Sequence, residues 1–277
     1  MKLEEYLLLI ERLNRYAYAY YVLDTPLVTD EEYDIEYKKL LLFEEQNHAL
    51  ISASSPSQRV GDVPLDEFEK APHIERMWSL DDVFCFEELD EWVLRIHKKY
   101  PNATFVSEPK FEGASLNLLY EDGALVKAIT RGNGEIGENV TQNAKTIPSI
   151  PLQISIKGRL EVRGEVVIKK GDFAEMNKER VGSGLKEFAN PRNAASGSLR
   201  QLDSRVTAKR RLYFYPCGIG YNEIPHKTLS LKMEEIYEQG FLAPPLRALC
   251  KKVEDIELSY KEMMELRESI EMMLDGM

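Results

Sequence analysis

The stretch Phe105-Val-Ser-Glu-Pro-Lys-Phe-Glu-Gly-Ala-Ser-Leu-Asn-Leu-Leu-Tyr-Glu-Asp-Gly-Ala-Leu-Val-Lys-Ala-Ile-Thr-Arg131 decides the fold. Residues 105–110, 114–120 and 124–131 read as three strands, and Glu121-Asp-Gly123 supplies turn chemistry between the last two. Working outward, residues 160–168 alternate again and 212–220 form an apolar and aromatic strand. Helical spacing is predicted over 172–180, 231–239 and 253–273. Residues 71–277 therefore read as an α+β domain rich in antiparallel sheet.

Ahead of this domain the period is helical. Leu3, Leu7, Ile10, Leu13 and Ala17 share one face, and Asp24-Thr-Pro26 interrupts them. Thr29 followed by Glu32 is a capping box that opens a second helix. Residues 1–70 thus read as a helical hairpin domain and its linker. Residues 51–74, with Ser, Pro, Gly and Asp but no period, are expected to run over the surface.

Of the 277 residues, 30% are charged, and no apolar run approaches the roughly 20 residues of a membrane span. The start lacks the pattern of a secretory signal, which points to the cytoplasm. Cys85, Cys217 and Cys250 are scattered with no C-x-x-C pair and are expected to be buried thiols. His48, His73, His97 and His226 are equally dispersed, so spacing proposes no metal cage. Net charge is −11. Residues 1–100 hold 11 basic against 22 acidic side chains, whereas 157–211 hold 14 against 7, a local surplus able to meet phosphates.

Within Ser107-Glu-Pro-Lys-Phe-Glu-Gly113, period-two geometry sets Glu108 and Lys110 on one face, with Lys110 between Glu108 and Glu112. This is either a nucleophile or a surface lysine with two acidic neighbours. On residues 160–168, Glu161, Arg163 and Glu165 share the face opposite the apolar one; a sheet face in water or a nucleotide cleft would look alike. Thr130-Arg-Gly-Asn-Gly-Glu-Ile-Gly137 contains G-x-G-x-x-G but lacks the βαβ frame of a dinucleotide fold, so its glycines are expected to shape a loop carrying Arg131 to a ligand. Arg192 and Arg200 lie in a small-residue segment suited to phosphate. Tyr20, Tyr21, Asp30, Tyr33 and Asp34 cluster about the hairpin turn, where aromatic faces and carboxylates suit a flat cation.

Taken together these segments resemble one family, the bacterial NAD-dependent DNA ligases. The likeness runs through Tyr20-Tyr21-x-x-Asp24-x-Pro26-x-x-x-Asp30-x-x-Tyr33-Asp34, Ser55-Pro-Ser-Gln-Arg-Val-Gly61, Met77-Trp-Ser-Leu-Asp81, the Lys110 motif, Thr130-Arg-Gly-x-Gly134, Leu160-Glu-Val-Arg-Gly-Glu165 and Phe188-Ala-Asn-Pro-Arg-Asn193. It implies a helical domain that binds nicotinamide mononucleotide, followed by an ATP-grasp-like nucleotidyltransferase domain. Lys110 would attack the adenylyl phosphorus of NAD and carry AMP, with Glu112, Arg131 and Glu165 as further catalytic residues. Glu108 would meet the adenine amine, Arg131 and Glu165 the ribose, and Ser79 with Leu80 the edge of the adenine pocket. Tyr20, Tyr21, Asp30, Tyr33 and Asp34 would hold the departing mononucleotide. Arg192, Arg200 and Arg267 would serve DNA phosphate. NAD as substrate, Mg2+ as cofactor, nicked duplex DNA as the partner of the longer protein and a monomeric, cytoplasmic state are implied in the same way.

Two departures stand out. The family motif is usually Lys-x-Asp-Gly, whereas Glu112 occupies the acidic position here. The sequence also stops at Leu274-Asp-Gly-Met277, where the family continues into a strand with further lysines and into DNA-binding modules. An adenylation portion that binds NAD, labels itself weakly or not at all and does not seal nicks alone is the expectation. The alternatives are an ATP-dependent ligase or capping-type nucleotidyltransferase, and a non-catalytic nucleotide- or DNA-binding module.

Overall fold

The computed structural model describes residues 1–21, 23, 25–59, 65 and 67–277, with Tyr21 described for its main chain only. The chain opens with α1 (Leu3–Tyr21) and α2 (Asp30–Gln46). Thr29 caps α2 through the expected box, its hydroxyl accepting from Glu32 N while the Glu32 carboxylate accepts from Thr29 N. Tyr6, Leu9, Ile10, Leu13, Leu40 and Phe43 form the hairpin's own core, so this pair of helices buries its apolar stripes against each other. Glu44, 5% exposed, accepts from Tyr6 Oη and Ser55 Oγ, both at 2.6 Å, and ties the following segment back to the hairpin.

That segment differs from the surface linker expected. A short 3-10 turn (Pro56–Arg59) ends at an arginine whose Nη1 donates to the carbonyls of Lys145, Ile147 and Ile150, at 3.1, 3.3 and 3.4 Å. Burial lowers this guanidinium to about 10. The three carbonyl oxygens provide the partial negative charge that holds it there. Val60 and Gly61 of the linker motif, like Val22 and Asp24 of the hairpin, lie outside the described residues.

The larger domain runs β1 (Lys70–Pro72), α3 (Phe86–Lys99), β2 (Phe105–Ser107), β3 (Lys110–Phe111), β4 (Ala114–Glu121), β5 (Ala124–Thr130), β6 (Ile136–Glu138), α4 (Thr141–Lys145) and β7 (Arg159–Ile168). It continues through α5 (Lys170–Gly182), α6 (Pro191–Leu199), α7 (Ser204–Ala208), β8 (Leu212–Asn222), α8 (Leu229–Glu238), β9 (Ala248–Cys250), α9 (Val253–Leu266) and β10 (Leu274–Gly276). The principal sheet is antiparallel throughout, in the order β5-β4-β7-β8. Its apolar face, with Leu116, Leu118, Leu160, Val162, Val166 and Phe214, packs against Ala194, Leu199, Ile236 and the 140–154 segment. The α+β reading and the β4–β5 hairpin, turned by Asp122 and Gly123 at positive φ, follow the sequence pattern. Among the described residues no helix is long and apolar enough to cross a membrane.

Elsewhere the structure departs from the sequence pattern. Residues 105–110 do not form one strand: Pro109 cannot donate to a ladder, and the chain breaks there into β2, paired with β9, and β3, paired with β10. The last helix ends at Leu266 rather than 273, and the chain leaving it turns back to pair with the Lys110 strand. The amphipathic helix α3 was not predicted. Of the three thiols only Cys250 is buried; Cys85 and Cys217 are exposed.

Candidate active site

Gly113 starts the geometry. A Cβ there would meet Val166 O at 2.3 Å and Glu165 Cγ at 2.8 Å, so only glycine lets the end of the Lys110 motif lie against β7. The β4–β7 register then sets Ser115 opposite Glu165, and Ser115 Oγ donates to Glu165 Oε2 at 2.9 Å. Burial pushes the Glu165 carboxyl up to about 7, against the pull of the Ser115 hydrogen bond and of Arg192, Arg131 and Lys110. Two other predicted catalytic residues, Lys110 and Arg131, thus both act electrostatically on Glu165, as does Arg192.

Lys110 is not held between Glu108 and Glu112. Its ammonium donates to Asp275 Oδ2 on β10, and Asp82 Oδ1 stands 3.8 Å away in the exposed segment before α3. The break at Pro109 explains the change, because β3 pairs with β10 and Gly276 comes opposite Lys110. The hydrogen bond to Asp275 holds the lysine above the usual amine range, and Arg192 opposes this. Asp275 and Asp82 were missed by sequence reasoning, because neither is close to Lys110 along the chain. Glu112 is fixed by its main chain, which donates to Met273 O at 2.9 Å.

Glu108 turns to a different cation. Arg247 Nε lies 3.9 Å from Glu108 Oε2, and Arg247 also pairs with Glu234 and donates to Ser230 O. Burial raises the Glu108 carboxyl above its ordinary value, with Arg247 acting against it. Arg131 Nη2 donates to Ser79 Oγ at 2.5 Å, a contact between two residues that the sequence assigned to different parts of the nucleotide. Leu80, next along the chain, is 78% exposed. The glycine motif forms the β5–β6 loop, with Gly132 and Gly134 at positive φ, as the rejection of a dinucleotide fold required.

The three arginines assigned to DNA do not form one cluster. Arg192 stands at the Lys110 site, Arg200 forms a two-point ion pair with Glu138 at 2.6 and 2.8 Å, and Arg267 is exposed just beyond α9. In the hairpin, Tyr16, Tyr20, Asp30, Tyr33 and Asp34 line a cleft of about 320 Å³ closed by Pro26, Leu27 and Val28. Four of the five residues predicted for a flat cation therefore share one cavity; the Tyr21 side chain lies outside the described residues. Among the described residues no group of three or more His, Cys, Asp or Glu could hold a metal ion.

Known proteins match both parts. Residues 65–277 match the family described as NAD-dependent DNA ligase adenylation domain, and residues 3–61 match DNA ligase-like, N-terminal NAD+-binding domain. The DNA ligases of Helicobacter hepaticus, Sulfurovum sp. and Wolinella succinogenes are 54%, 53% and 54% identical across the whole of this chain. The chain spans 43% of the length of each of these curated relatives. With a helical hairpin lined by tyrosines followed by an α+β domain that carries the Lys110 motif, the chain belongs to the NAD-dependent DNA ligase adenylation-domain family.

Proposed function

We propose that this chain transfers the adenylyl group of NAD to Lys110 and releases nicotinamide mononucleotide, the first step in sealing a 5′-phosphate/3′-hydroxyl nick in duplex DNA by the longer protein. The observation that carries this reading is the hydrogen bond from the Lys110 ammonium to Asp275 in a site where Lys110, Arg131 and Arg192 all pull on the half-buried Glu165 carboxyl. In the reaction the Nζ–P bond forms, the bond from phosphorus to the mononucleotide phosphate breaks, and its electron pair leaves with the mononucleotide. The attacking amine must first lose a proton, and the Asp275 carboxylate already accepts a hydrogen bond from it. Arg192 and Arg131 supply positive charge for the developing phosphate charge. Glu165 and Ser79 are assigned to the ribose and the adenine edge, and Glu108 to the adenine amine with Arg247 behind it. Tyr20, Asp30, Tyr33 and Asp34, with Tyr21, are assigned to the mononucleotide half.

Arg200 and Arg267 are assigned to DNA phosphate, where their exposure suits them. Magnesium is assigned to the substrate phosphates. The test is calorimetry with NAD and with AMP, followed by intact-mass measurement after incubation with NAD and magnesium. Binding of NAD more tightly than AMP, weakened by Tyr20→Ala, and an AMP adduct abolished by Lys110→Ala support the reading. An adduct that persists in Lys110→Ala, or no binding of NAD, refutes it.

A further inference from the structure

The charged face of β7 includes one carboxylate that is not available to a ligand. Glu161 is 1% exposed. Its Oε1 accepts from Ile74 N at 2.8 Å and Asn117 Nδ2 at 2.7 Å; its Oε2 accepts from Glu75 N at 3.2 Å and Tyr221 N at 3.1 Å. Arg163 Nη2 stands 3.5 Å from Oε2 and donates to Glu75 O at 2.6 Å. A carboxylate offers about four lone-pair positions, and here main-chain and side-chain donors take them.

The chain of contacts continues beyond it. Asn117, fully buried, also places Nδ2 3.0 Å from His73 Nδ1. Turning that amide over would aim its oxygen at the Glu161 carboxylate, so the carboxylate sets the amide's orientation. An amide nitrogen only donates, so His73 Nδ1 is an acceptor and the imidazole proton sits on Nε2. Nε2 lies 3.3 Å from Arg131 O and donates to it. The residue so held is the one whose guanidinium meets Ser79. Ser79 itself stands at the end of the segment that Glu161 grips at Ile74 and Glu75. Arg131 is thus tied to the buried carboxylate through His73 and Asn117, and the chain leading to Ser79 is anchored to it at Ile74 and Glu75.

We propose that Glu161 is a positioning residue which, through Asn117 and His73 in its Nε2–H form, sets Arg131 in register with Ser79. Its consequence for NAD rests on the assignment of Arg131 to the nucleotide; the tautomer does not. Burial lowers the basicity of His73, in keeping with a neutral ring.

The experiment is long-range nitrogen–proton NMR of the uniformly labelled chain, with His73 assigned by its disappearance in His73→Gln. The expected result is a protonated Nε2 and a bare Nδ1 at neutral pH. A Nδ1–H tautomer, or a doubly protonated ring at neutral pH, overturns the proposal. In parallel, His73→Ala is expected to weaken NAD binding about tenfold, and His73→Gln, whose amide can still donate to Arg131 O, to restore most of it. Arg131→Ala separates the two readings. If it weakens NAD binding while His73→Ala does not, the positioning role is wrong. If Arg131→Ala leaves binding unchanged, the nucleotide assignment is wrong, and the tautomer with the Arg131 Nε–H signal decides the proposal by itself.

Discussion

Glu165→Gln changes one atom of the site and removes one titration. Burial holds the folded carboxyl at about 7 against an ordinary value of 4.5, so the folded state keeps the proton that the unfolded chain has released between those values. The folded value is the higher one; the stabilisation is therefore full below about pH 4.5 and is lost as pH rises through about 7. Linkage gives a change of about 2.5 kcal/mol between pH 5 and pH 8 as a ceiling. Residual solvent at this half-buried position brings it to about 1 to 2 kcal/mol. Urea unfolding of wild type and Glu165→Gln at both pH values isolates the effect, because glutamine keeps the shape and does not titrate. Wild type is expected to lose stability relative to the variant at pH 8. An unchanged difference between the proteins, or one of opposite sign, refutes the claim that burial outweighs Arg192, Arg131 and Lys110 at this carboxyl.

Asp275→Ala removes the hydrogen bond that holds the Lys110 ammonium, so the amine pKa falls and its acylation by an amine-reactive reagent at fixed mildly alkaline pH quickens by about threefold; an unchanged rate at Lys110, read by peptide mass, counts against the pairing. Gly132→Ala places a Cβ 1.9 Å from Ile136 O at a φ of +55°, and is expected to cost more than about 2 kcal/mol in urea unfolding. Thr29→Ala removes the α2 capping box and is expected to cost about 1 kcal/mol, with the hairpin helices melting first by circular dichroism; no loss of stability would mean the box does not hold the helix start.

Much of the fold was legible in the chain itself, and the failures follow local rules being overridden at long range. The β4–β5 hairpin and the two helices of the N-terminal domain depend on turn residues, a cap and an unbroken period, all of which act within a few residues. Helix α9 was read too long because 267–273 keep apolar residues that a helix could also use; Ile270 and Met272 instead pack beside Val167. Helix α3 begins at Phe86 without a side-chain cap, which removes the usual start signal.

The site divides along the same line. The order of motifs alone determined the family, the lysine and the cluster of aromatic and acidic side chains at the hairpin turn, because residues close in sequence on one helix or strand must be close in space. Which carboxylates face Lys110 was decided only by tertiary structure: Pro109 ends one strand pairing, β10 arrives from 165 residues away, and Asp275 takes the place that Glu108 and Glu112 held on paper. The same holds for Glu161. Alternation set it on the charged face, but only the packing of residues 73–75 over that face took it out of water and made it a structural anchor. Period reports the side of a strand on which a residue lies, and burial depends on what the rest of the chain lays over that side.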